Sequence, residues 1–298
     1  MKKFNTDSHF VIGHLHIRQN KPCQDHALNG IKDEGSAGMI CVSDGCSSGG
    51  HTDIGSRVIT LSTVRAIQDR NLRVPVSEYM QSLMIASIGT YSLLSRVSLA
   101  ITNEDMLATS LYAVMNEHGG YIHMLGDGVC AIKSKDGIVA VVALDWQQNT
   151  PYYPIYREDN IDQFIALHKK FDNGEKALRI TTYKLLPSGE EQDRSETYYS
   201  IDEAINGFVV KISKEEVDNI ESIAVFSDGV QDFQSLDGKQ VKSSQVVHEM
   251  MSFKNYTGEF VKRRVSAALK AFGKNGINPN DDFSMAAIHF NDQTEEAI

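Results

Sequence analysis

The sequence predicts an α+β protein in which strands and paired helices form separate layers. Eight β-type runs are distributed along the 298 residues, and two stretches carry the 3.6-residue period of amphipathic helices. The order is strands, helix pair, strands, helix pair, strand. That order suits sheets packed on each other with helices outside, and it fits poorly with strict β-α-β alternation.

The predicted elements follow from local patterns of apolar residues. Residues 53–100 carry helical spacing with few Gly or Pro, and the segments SSQVVHEMMSF and TGEFVKRRVSAALKAFGK repeat that pattern near the end of the chain. Both regions therefore predict helix pairs. The β-type runs are HFVIGHLHI, GMICVSD, TSLYAVMNE, GGYIHMLGD, GVCAIKS, GIVAVVAL, IAVFSDG and FSMAAIHF.

The stretch from Asp145 to Glu221 differs from the rest of the chain, being polar and weakly periodic. We expect a single domain over 1–298, with 145–221 as a variable flap or insert. This stretch contains an aromatic cluster, for which a recognition surface and internal packing are both open alternatives. The cluster comprises Trp146, Tyr152, Tyr153 and Tyr156.

Composition narrows the class of protein. A hydrophobic content of 41% allows a sizeable core, and the formal charge of −10 argues against nucleic acid as the main partner. Apolar runs are too short to cross a bilayer, and the start MKKFNTDSHF lacks the apolar centre of a signal peptide. We therefore expect no membrane partner and a cytoplasmic location.

Four aspartates stand at the ends of apolar runs. Asp44, Asp127 and Asp228 each precede a glycine where a β-type run stops, and Asp281 lies just before FSMAAI. A strand that ends in Asp-Gly delivers a carboxylate at the sheet rim, because glycine permits a sharp turn. Several such rims converging would form an all-oxygen site, which Mg²⁺ and Mn²⁺ prefer.

Each of these aspartates also has a simpler interpretation. A single Asp-Gly after a strand is usually a turn, since both residues favour turn geometry. Crowded carboxylates, by contrast, repel one another unless cations lie between them. The recurrence of the pattern therefore favours a metal site over four unrelated turns.

Five short motifs in order carry a family resemblance. PCQDH, VSDG, LGDG, FSDG and NDDFS resemble the metal-dependent type 2C (PPM) protein Ser/Thr phosphatases, in particular the bacterial branch whose first acidic motif reads PCQD. The resemblance spans Phe10 to Phe290, with 145–221 matched weakly. It implies a four-layer αββα sandwich, with two central, mainly antiparallel sheets flanked by helix pairs.

The resemblance also implies a ligand set for two Mn²⁺ or Mg²⁺ ions. Asp44 would bridge the two ions and act as the central catalytic aspartate. The Gly45 carbonyl would bind one of them, and Asp228 and Asp281 would bind the other.

Two further aspartates match the family less fully. Asp25 stands at the first acidic position, where it would touch an ion directly or through water. Asp127 matches an aspartate that in bacterial members can help hold a third ion, although Gly128 replaces the usual Ser. Asp282 stands where many relatives have Asn, and we expect it to support the ligands.

The residue that grips the substrate phosphate is less evident. Many relatives have an Arg shortly before the first acidic motif, where a planar fork can bind two oxygens. Here the segment reads GHLHIRQNK, and His16 matches the GxxH pattern of the PCQD branch. His16 is therefore our second candidate catalytic residue, beside the alternative that it is an ordinary polar residue.

The function implied by the resemblance is hydrolysis of phosphomonoesters on Ser or Thr of a protein. A metal-activated bridging water would attack the phosphorus directly, because a two-metal centre supplies a nucleophile and neutralises the phosphoryl oxygens. The partner would be a phosphorylated protein, such as a Ser/Thr kinase or its target. The alternatives are a regulatory or adaptor protein with little or no turnover, and a phosphatase of small phosphorylated molecules.

Overall fold

The computed structural model describes residues 3–158, 161–172 and 175–291. Most of the strands lie in two antiparallel sheets. In chain order the strands are β1 (Lys3–Val11), β2 (His26–Lys32), β3 (Ala37–Ser43), β4 (Ser110–Asn116), β5 (Gly119–Leu125), β6 (Gly128–Ser134), β7 (Val139–Trp146), β8 (Leu178–Leu185), β9 (Glu191–Tyr199), β10 (Phe208–Ile212), β11 (Ile220–Phe226), β12 (Phe233–Ser235), β13 (Ile277–Pro279) and β14 (Phe283–Asn291).

The helices fall into two long pairs and several short pieces. They are α1 (His14–Gln19), α2 (Thr52–Gln68), α3 (Glu78–Leu99), α4 (Ile161–Asp172), α5 (Ile201–Ala204), α6 (Lys214–Val217), α7 (Ser243–Met250) and α8 (Phe260–Lys274). Helix α3 begins where the Ser77 hydroxyl accepts a hydrogen bond from the Met80 backbone N–H, and it ends at Ala100 in the left-handed conformation. Both predicted helix pairs, α2 with α3 and α7 with α8, are confirmed.

The two large sheets pack face to face. The seven-stranded sheet has the order β1-β14-β11-β6-β7-β8-β9, and the five-stranded sheet has the order β10-β5-β4-β3-β2. Buried side chains from both sheets, such as Ile40 and Leu111 from one and Val225 and Ile288 from the other, form one apolar core. Strands β12 and β13 form a separate small pair.

A helix pair covers the outer face of each sheet. Met84 and Ile88 of α3 pack with Met39 and Tyr112 of the five-stranded sheet. On the other side, side chains from α7 and α8 pack against the seven-stranded sheet and include Val247 and Val265. The αββα arrangement predicted from the sequence is confirmed.

The run HFVIGHLHI is strand only in its first part. Strand β1 ends at Val11, and HLHIRQ forms the short helix α1. The alternation of His, Leu and Ile imitates a strand, but tertiary contacts decide otherwise. The Leu15 backbone N–H donates to the Asn280 carbonyl, 2.9 Å away, and His16 is buried against Asp282.

The weakly periodic stretch 145–221 extends both sheets. Strands β8 and β9 continue the seven-stranded sheet beyond β7, and β10 forms the edge of the five-stranded sheet beside β5. Residues of β9 are largely exposed and polar, which explains why their apolar pattern is weak. Of the helices described, none is long and apolar enough to cross a membrane.

Candidate metal centre

Strand register brings the first two acidic motifs to one edge of the five-stranded sheet. Ser43, the last residue of β3, pairs with His26, the first residue of β2. Asp44 and Asp25 are the adjoining residues, so both leave the sheet at the same edge. Leu125, the last residue of β5, pairs with Ser110, the first residue of β4, so β5 ends at this same edge. Gly126 and Asp127 follow Leu125 there.

The other motifs leave the seven-stranded sheet at the corresponding edge. Phe226, which ends β11, pairs with Val129 near the start of β6 and with Met285 near the start of β14. Asp228 follows the first of these strands, and Asp281 precedes the last. Because Asp127 lies on the link from β5 to β6, it stands between the two sheets.

Hydrogen bonds fix the backbone of Asp44. Its N–H donates to the Thr109 hydroxyl at 2.9 Å, and its carbonyl accepts from the Thr109 N–H at 2.8 Å. The Ser43 hydroxyl donates to the Thr109 carbonyl at 2.5 Å. The adjoining Gly45 is buried and forms an isolated β-bridge with Ala108, so the Asp-Gly pair is held between two segments.

Three carboxylates meet at this edge. Asp44, Asp127 and Asp228, together called the Asp44 group, each offer one oxygen within 4.8 Å of the others. Burial, followed by the neighbouring carboxylates, raises the pKa of Asp44 and of Asp127 well above the usual value. The same causes, with Asp281 as the leading neighbour, raise the pKa of Asp228 to about 6.

Asp25 is the most completely buried of these carboxylates, with 0% of the residue exposed. Neither of its oxygens has a well-formed hydrogen bond among the described residues. Asp44 and the Ser227 hydroxyl lie close enough to favour the charged form, but burial outweighs them and raises the pKa of Asp25 to about 8. An unpaired buried carboxylate is costly, and a cation beside it would remove that cost, so these residues fit a hard divalent ion.

A second group contains a histidine. His16, Asp281 and Asp282, together called the His16 group, also offer ligand atoms within 4.8 Å of one another. Nδ1 of His16 lies 2.7 Å from Oδ2 of Asp282, and Nε2 lies 3.9 Å from Oδ1 of Asp281. Burial raises the pKa of Asp281, although its side chain is more exposed than the other two.

Asp282 joins three segments of the chain. It accepts hydrogen bonds from the Gly13 N–H at 2.7 Å and from the Gln24 N–H at 2.6 Å, besides its contact with His16. The residue is 2% exposed, so these partners replace water. Because Gln24 precedes Asp25 and Asp282 follows Asp281, one side chain sets the relative positions of two candidate ligands.

Close backbone packing makes two glycines necessary here. A Cβ at Gly229 would lie 1.8 Å from the Asp282 carbonyl oxygen, and one at Gly13 would lie 2.2 Å from the Asp281 carbonyl carbon. The loops that carry Asp228 and Asp281 therefore touch through main-chain atoms.

The structure adds residues that the motifs do not reveal. Besides burial, the charge of Asp145 contributes to the raised pKa of both Asp127 and Asp228. Asp145 nearly ends the run that forms β7, as the other aspartates end theirs, but it lacks the following Gly. Ser227 is buried beside Asp25, where its hydroxyl accepts from the Ser284 N–H at 2.9 Å.

The aromatic cluster of 145–221 packs internally. Trp146, Tyr152 and Tyr153 are buried, and Phe164 of α4 contacts the first two through edge-to-face ring pairs. The Trp146 indole N–H donates to the Gly126 carbonyl at 2.9 Å. Of the two alternatives, the structure favours internal packing, and the cluster supports the loop that carries Asp127.

Comparisons with known proteins agree with this geometry. The family model of protein phosphatase 2C matches residues 12–272. The chain belongs to the protein phosphatase 2C family. The resemblance found in the sequence is thereby confirmed, and the chain is a serine/threonine phosphatase by family, a hydrolase whose substrates are phosphoproteins and whose family depends on metal ions.

Solved structures of bacterial members share the fold of this protein phosphatase 2C chain. The serine/threonine phosphatase Stp1 from Staphylococcus aureus superposes with a TM-score of 0.52 at 10% identity, covering 96% of this chain and 94% of that chain. The serine/threonine phosphatase of S. agalactiae gives 0.54 at 13% identity, with coverage of 96% and 99%. No curated protein sequence is significantly similar to this one.

Proposed function

We propose that the acidic edge of the two sheets is the catalytic centre of a protein phosphatase that hydrolyses phosphoserine and phosphothreonine. The observation that carries this proposal is the convergence of carboxylates from four distant segments: Asp44, Asp127 and Asp228 lie within 4.8 Å of one another, and the fully buried Asp25 beside them has no hydrogen bond to either oxygen among the described residues. A structural role alone would not account for such a cost, since unpaired buried charges destabilise a fold.

Two Mn²⁺ or Mg²⁺ ions fit the oxygen donors of this edge, with Asp44 and Asp228 as the central ligands and Asp25 beside them. Asp281 and the Gly45 carbonyl complete the proposed set, and Asp127 would serve a further ion. When bound, such ions neutralise phosphoryl oxygens and lower the pKa of water.

The residues of the chain supply position and charge. Thr109 fixes the main chain of Asp44, so its carboxylate is aimed before any ligand arrives. Asp282 fixes Asp281 and the segment before Asp25. The buried His16 cannot reach into open solvent toward a phosphate, so we assign it to the protein side of the centre rather than to phosphate gripping.

The substrate and partner remain proposals from the sequence. A phosphorylated protein, either a Ser/Thr kinase or its target, suits the phosphoprotein specificity of the family, and a cytoplasmic location suits such a partner. The stretch 145–221 forms an edge strand of each sheet, and we propose that it contributes to the choice of substrate.

A kinetic comparison tests the proposed function. Wild-type protein with Mn²⁺ should hydrolyse p-nitrophenyl phosphate and a phosphothreonine peptide, and Asp44→Ala should abolish both activities. Equal turnover by wild type and Asp44→Ala would refute the proposal. No turnover by a folded, metal-binding wild type would support the adaptor alternative instead. A strong preference for a small phosphorylated metabolite over the peptide would support the third alternative.

A further inference from the structure

His16 brings an imidazole to an edge lined with carboxylates. The residue is 2% exposed, whereas the other residues of helix α1 are exposed. A buried imidazole needs a partner for each ring nitrogen. The two nitrogens of His16 differ sharply in what they contact.

The contact at Nδ1 fixes the tautomer. Oδ2 of Asp282, 2.7 Å away, already accepts from the Gln24 N–H, and an ionised carboxylate can only accept. Nδ1 must therefore carry the proton and donate it. In the neutral ring, Nε2 is then left with its lone pair available.

The surroundings of Nε2 suit a cation better than a hydrogen bond. Among the described residues its nearest charged atom is Oδ1 of Asp281 at 3.9 Å, beyond hydrogen-bond range. Two atoms that each lie about 2.1 Å from one ion are separated by at most about 4.2 Å. In an octahedral site two neighbouring ligand atoms at that distance from the ion lie about 3.0 Å apart, so a small shift of the Asp281 side chain, which is 44% exposed, would let Nε2 and the Asp281 oxygen share an ion.

A second observation concerns Asp25, which lies beside Asp44 and close to the His16 group. Asp25 is fully buried with neither oxygen hydrogen-bonded, and its carboxylate interacts electrostatically with that of Asp282, the partner of His16. A buried carboxylate without a counterion among its described neighbours therefore lies next to the His16 group. The Asp281 carboxylate likewise interacts with Asp228, which connects the two groups directly.

We propose that Nε2 of His16 is a metal ligand, which shares an ion with Asp281, and that this nitrogen makes the centre prefer Mn²⁺ to Mg²⁺. The inference rests on the proposed metal centre and deepens it. Mn²⁺ and Mg²⁺ both bind oxygen donors, but a first-row transition-metal ion such as Mn²⁺ also accepts an imidazole nitrogen, whereas Mg²⁺ is bound through oxygen. The Asp282-His16 pair then forms a carboxylate-histidine-metal arrangement, in which the carboxylate orients the ring and fixes its tautomer.

The variant His16→Asn separates the two nitrogens. The Asn amide N–H can replace Nδ1 as the donor to Asp282, while no atom replaces Nε2. His14→Asn is the matched control, because His14 lies on the same helix and is exposed. Isothermal titration of metal-free protein with MnCl₂ and with MgCl₂ gives the two affinities, and unfolding curves verify that each variant is folded.

We expect His16→Asn to weaken Mn²⁺ binding by about 10-fold or more and to change Mg²⁺ binding by less than about threefold. His14→Asn should change neither. Electron spin-echo spectroscopy of the Mn²⁺-loaded wild type should show coupling to a ¹⁴N nucleus, and this coupling should disappear in His16→Asn.

Two results would overturn the assignment. One is a wild-type Mn²⁺ spectrum without nitrogen coupling. The other is an equal loss of Mn²⁺ and Mg²⁺ affinity in His16→Asn, which would make His16 a positioning residue. None of these readouts requires turnover, so a catalytically inactive wild type that shows the coupling would refute the proposed function and leave the His16 assignment intact.

Discussion

The Asp44 group and the His16 group lie at the same edge, but the negative charge of their carboxylates is compensated in different ways. In the Asp44 group the three carboxylates face one another, and burial with mutual repulsion raises each pKa. In the His16 group Asp282 accepts three hydrogen bonds from the protein. The Asp44 group therefore depends on an external cation for neutralisation. In the His16 group, hydrogen bonds from the protein itself satisfy the carboxylate of Asp282.

This difference separates two roles within one centre. Carboxylates that the protein leaves unpaired are available to bind ions, and their repulsion is relieved when ions arrive. A carboxylate that already has its full set of donors holds the surrounding main chain in place. Substitutions in the two groups should therefore differ in sign for the stability of the metal-free protein.

The largest effect is expected for Asp44→Asn. Loss of the central carboxylate should lower kcat/KM on a phosphopeptide by about 1,000-fold or more. The same change removes one repelling charge, so the metal-free protein should become more stable. Steady-state kinetics with Mn²⁺ and thermal unfolding in EDTA measure the two effects.

Asp193→Asn is a matched control for that prediction. Asp193 is exposed on β9 and pairs with Lys184, so its replacement should leave both readings near wild type. A lower melting temperature for metal-free Asp44→Asn would contradict the repulsion argument.

Asp282→Asn should act in the opposite direction. An amide at this position leaves at least one of the Gly13, Gln24 and His16 donors facing another donor, which should lower the free energy of unfolding of the metal-free protein by about 2 to 4 kcal/mol. Urea unfolding measures the change. If Asp282→Asn and Asp44→Asn shift stability in the same direction, the distinction between the two groups is wrong.

The pH dependence of stability sharpens the comparison. A carboxyl whose pKa is higher in the folded than in the unfolded chain binds its proton more tightly when folded. Its stabilising effect is therefore full below its ordinary pKa of 3.8 and is lost as pH rises through about 6 for Asp228 and about 8 for Asp25. In EDTA the melting temperature should fall by about 5 °C between about pH 5 and about pH 8.

Saturating Mn²⁺ should remove most of that fall, because the ion replaces the protons. Asp25→Asn in EDTA should show a flatter profile than wild type, since the carboxyl whose pKa is raised to about 8 no longer titrates. An unchanged slope in Asp25→Asn would show that other groups cause the pH dependence.

The smallest effect is expected for Trp146→Phe. Phe keeps an aromatic ring against Phe164 but loses the hydrogen bond to the Gly126 carbonyl. We expect a loss of about 1 to 2 kcal/mol in the free energy of unfolding and a change of about threefold in Mn²⁺ affinity, because Gly126 precedes Asp127. Urea unfolding and calorimetry check both values, and a loss of Mn²⁺ affinity far beyond threefold would show that the Asp127 loop dominates the centre.

Much of the layer order could be predicted from the sequence, because the strand and helix patterns are local signals. The apolar runs that end in Asp-Gly are local signals too, and they predict candidate site residues. Asp44, Asp127 and Asp228 each end such a run, and the structure brings their carboxylates together. The prediction that they bind metal remains to be tested. The same logic did not identify Asp145, because no glycine marks the end of its strand.

Other features depend on contacts that the sequence pattern does not encode. Strand β2 reads HALNGIK, where Asn and Gly weaken the strand pattern although the segment pairs fully with β3. Helix α1 forms where alternation predicts a strand, because the Gly13 N–H and the His16 ring both form hydrogen bonds with Asp282. That residue lies 269 positions after Gly13 and 266 positions after His16. Such long-range hydrogen bonds leave no trace in local periodicity.

The placement of Asp44 on one sheet and Asp228 on the other has a consequence for how the interior can vary. An ion bound by both carboxylates would require one particular spacing between the two sheets. A larger or smaller side chain at an interlayer position such as Leu111 or Val225 would shift that spacing and so alter the fit of the ion, although both residues lie in the apolar core. The size of interior residues is therefore constrained by the chemistry at the rim as well as by packing.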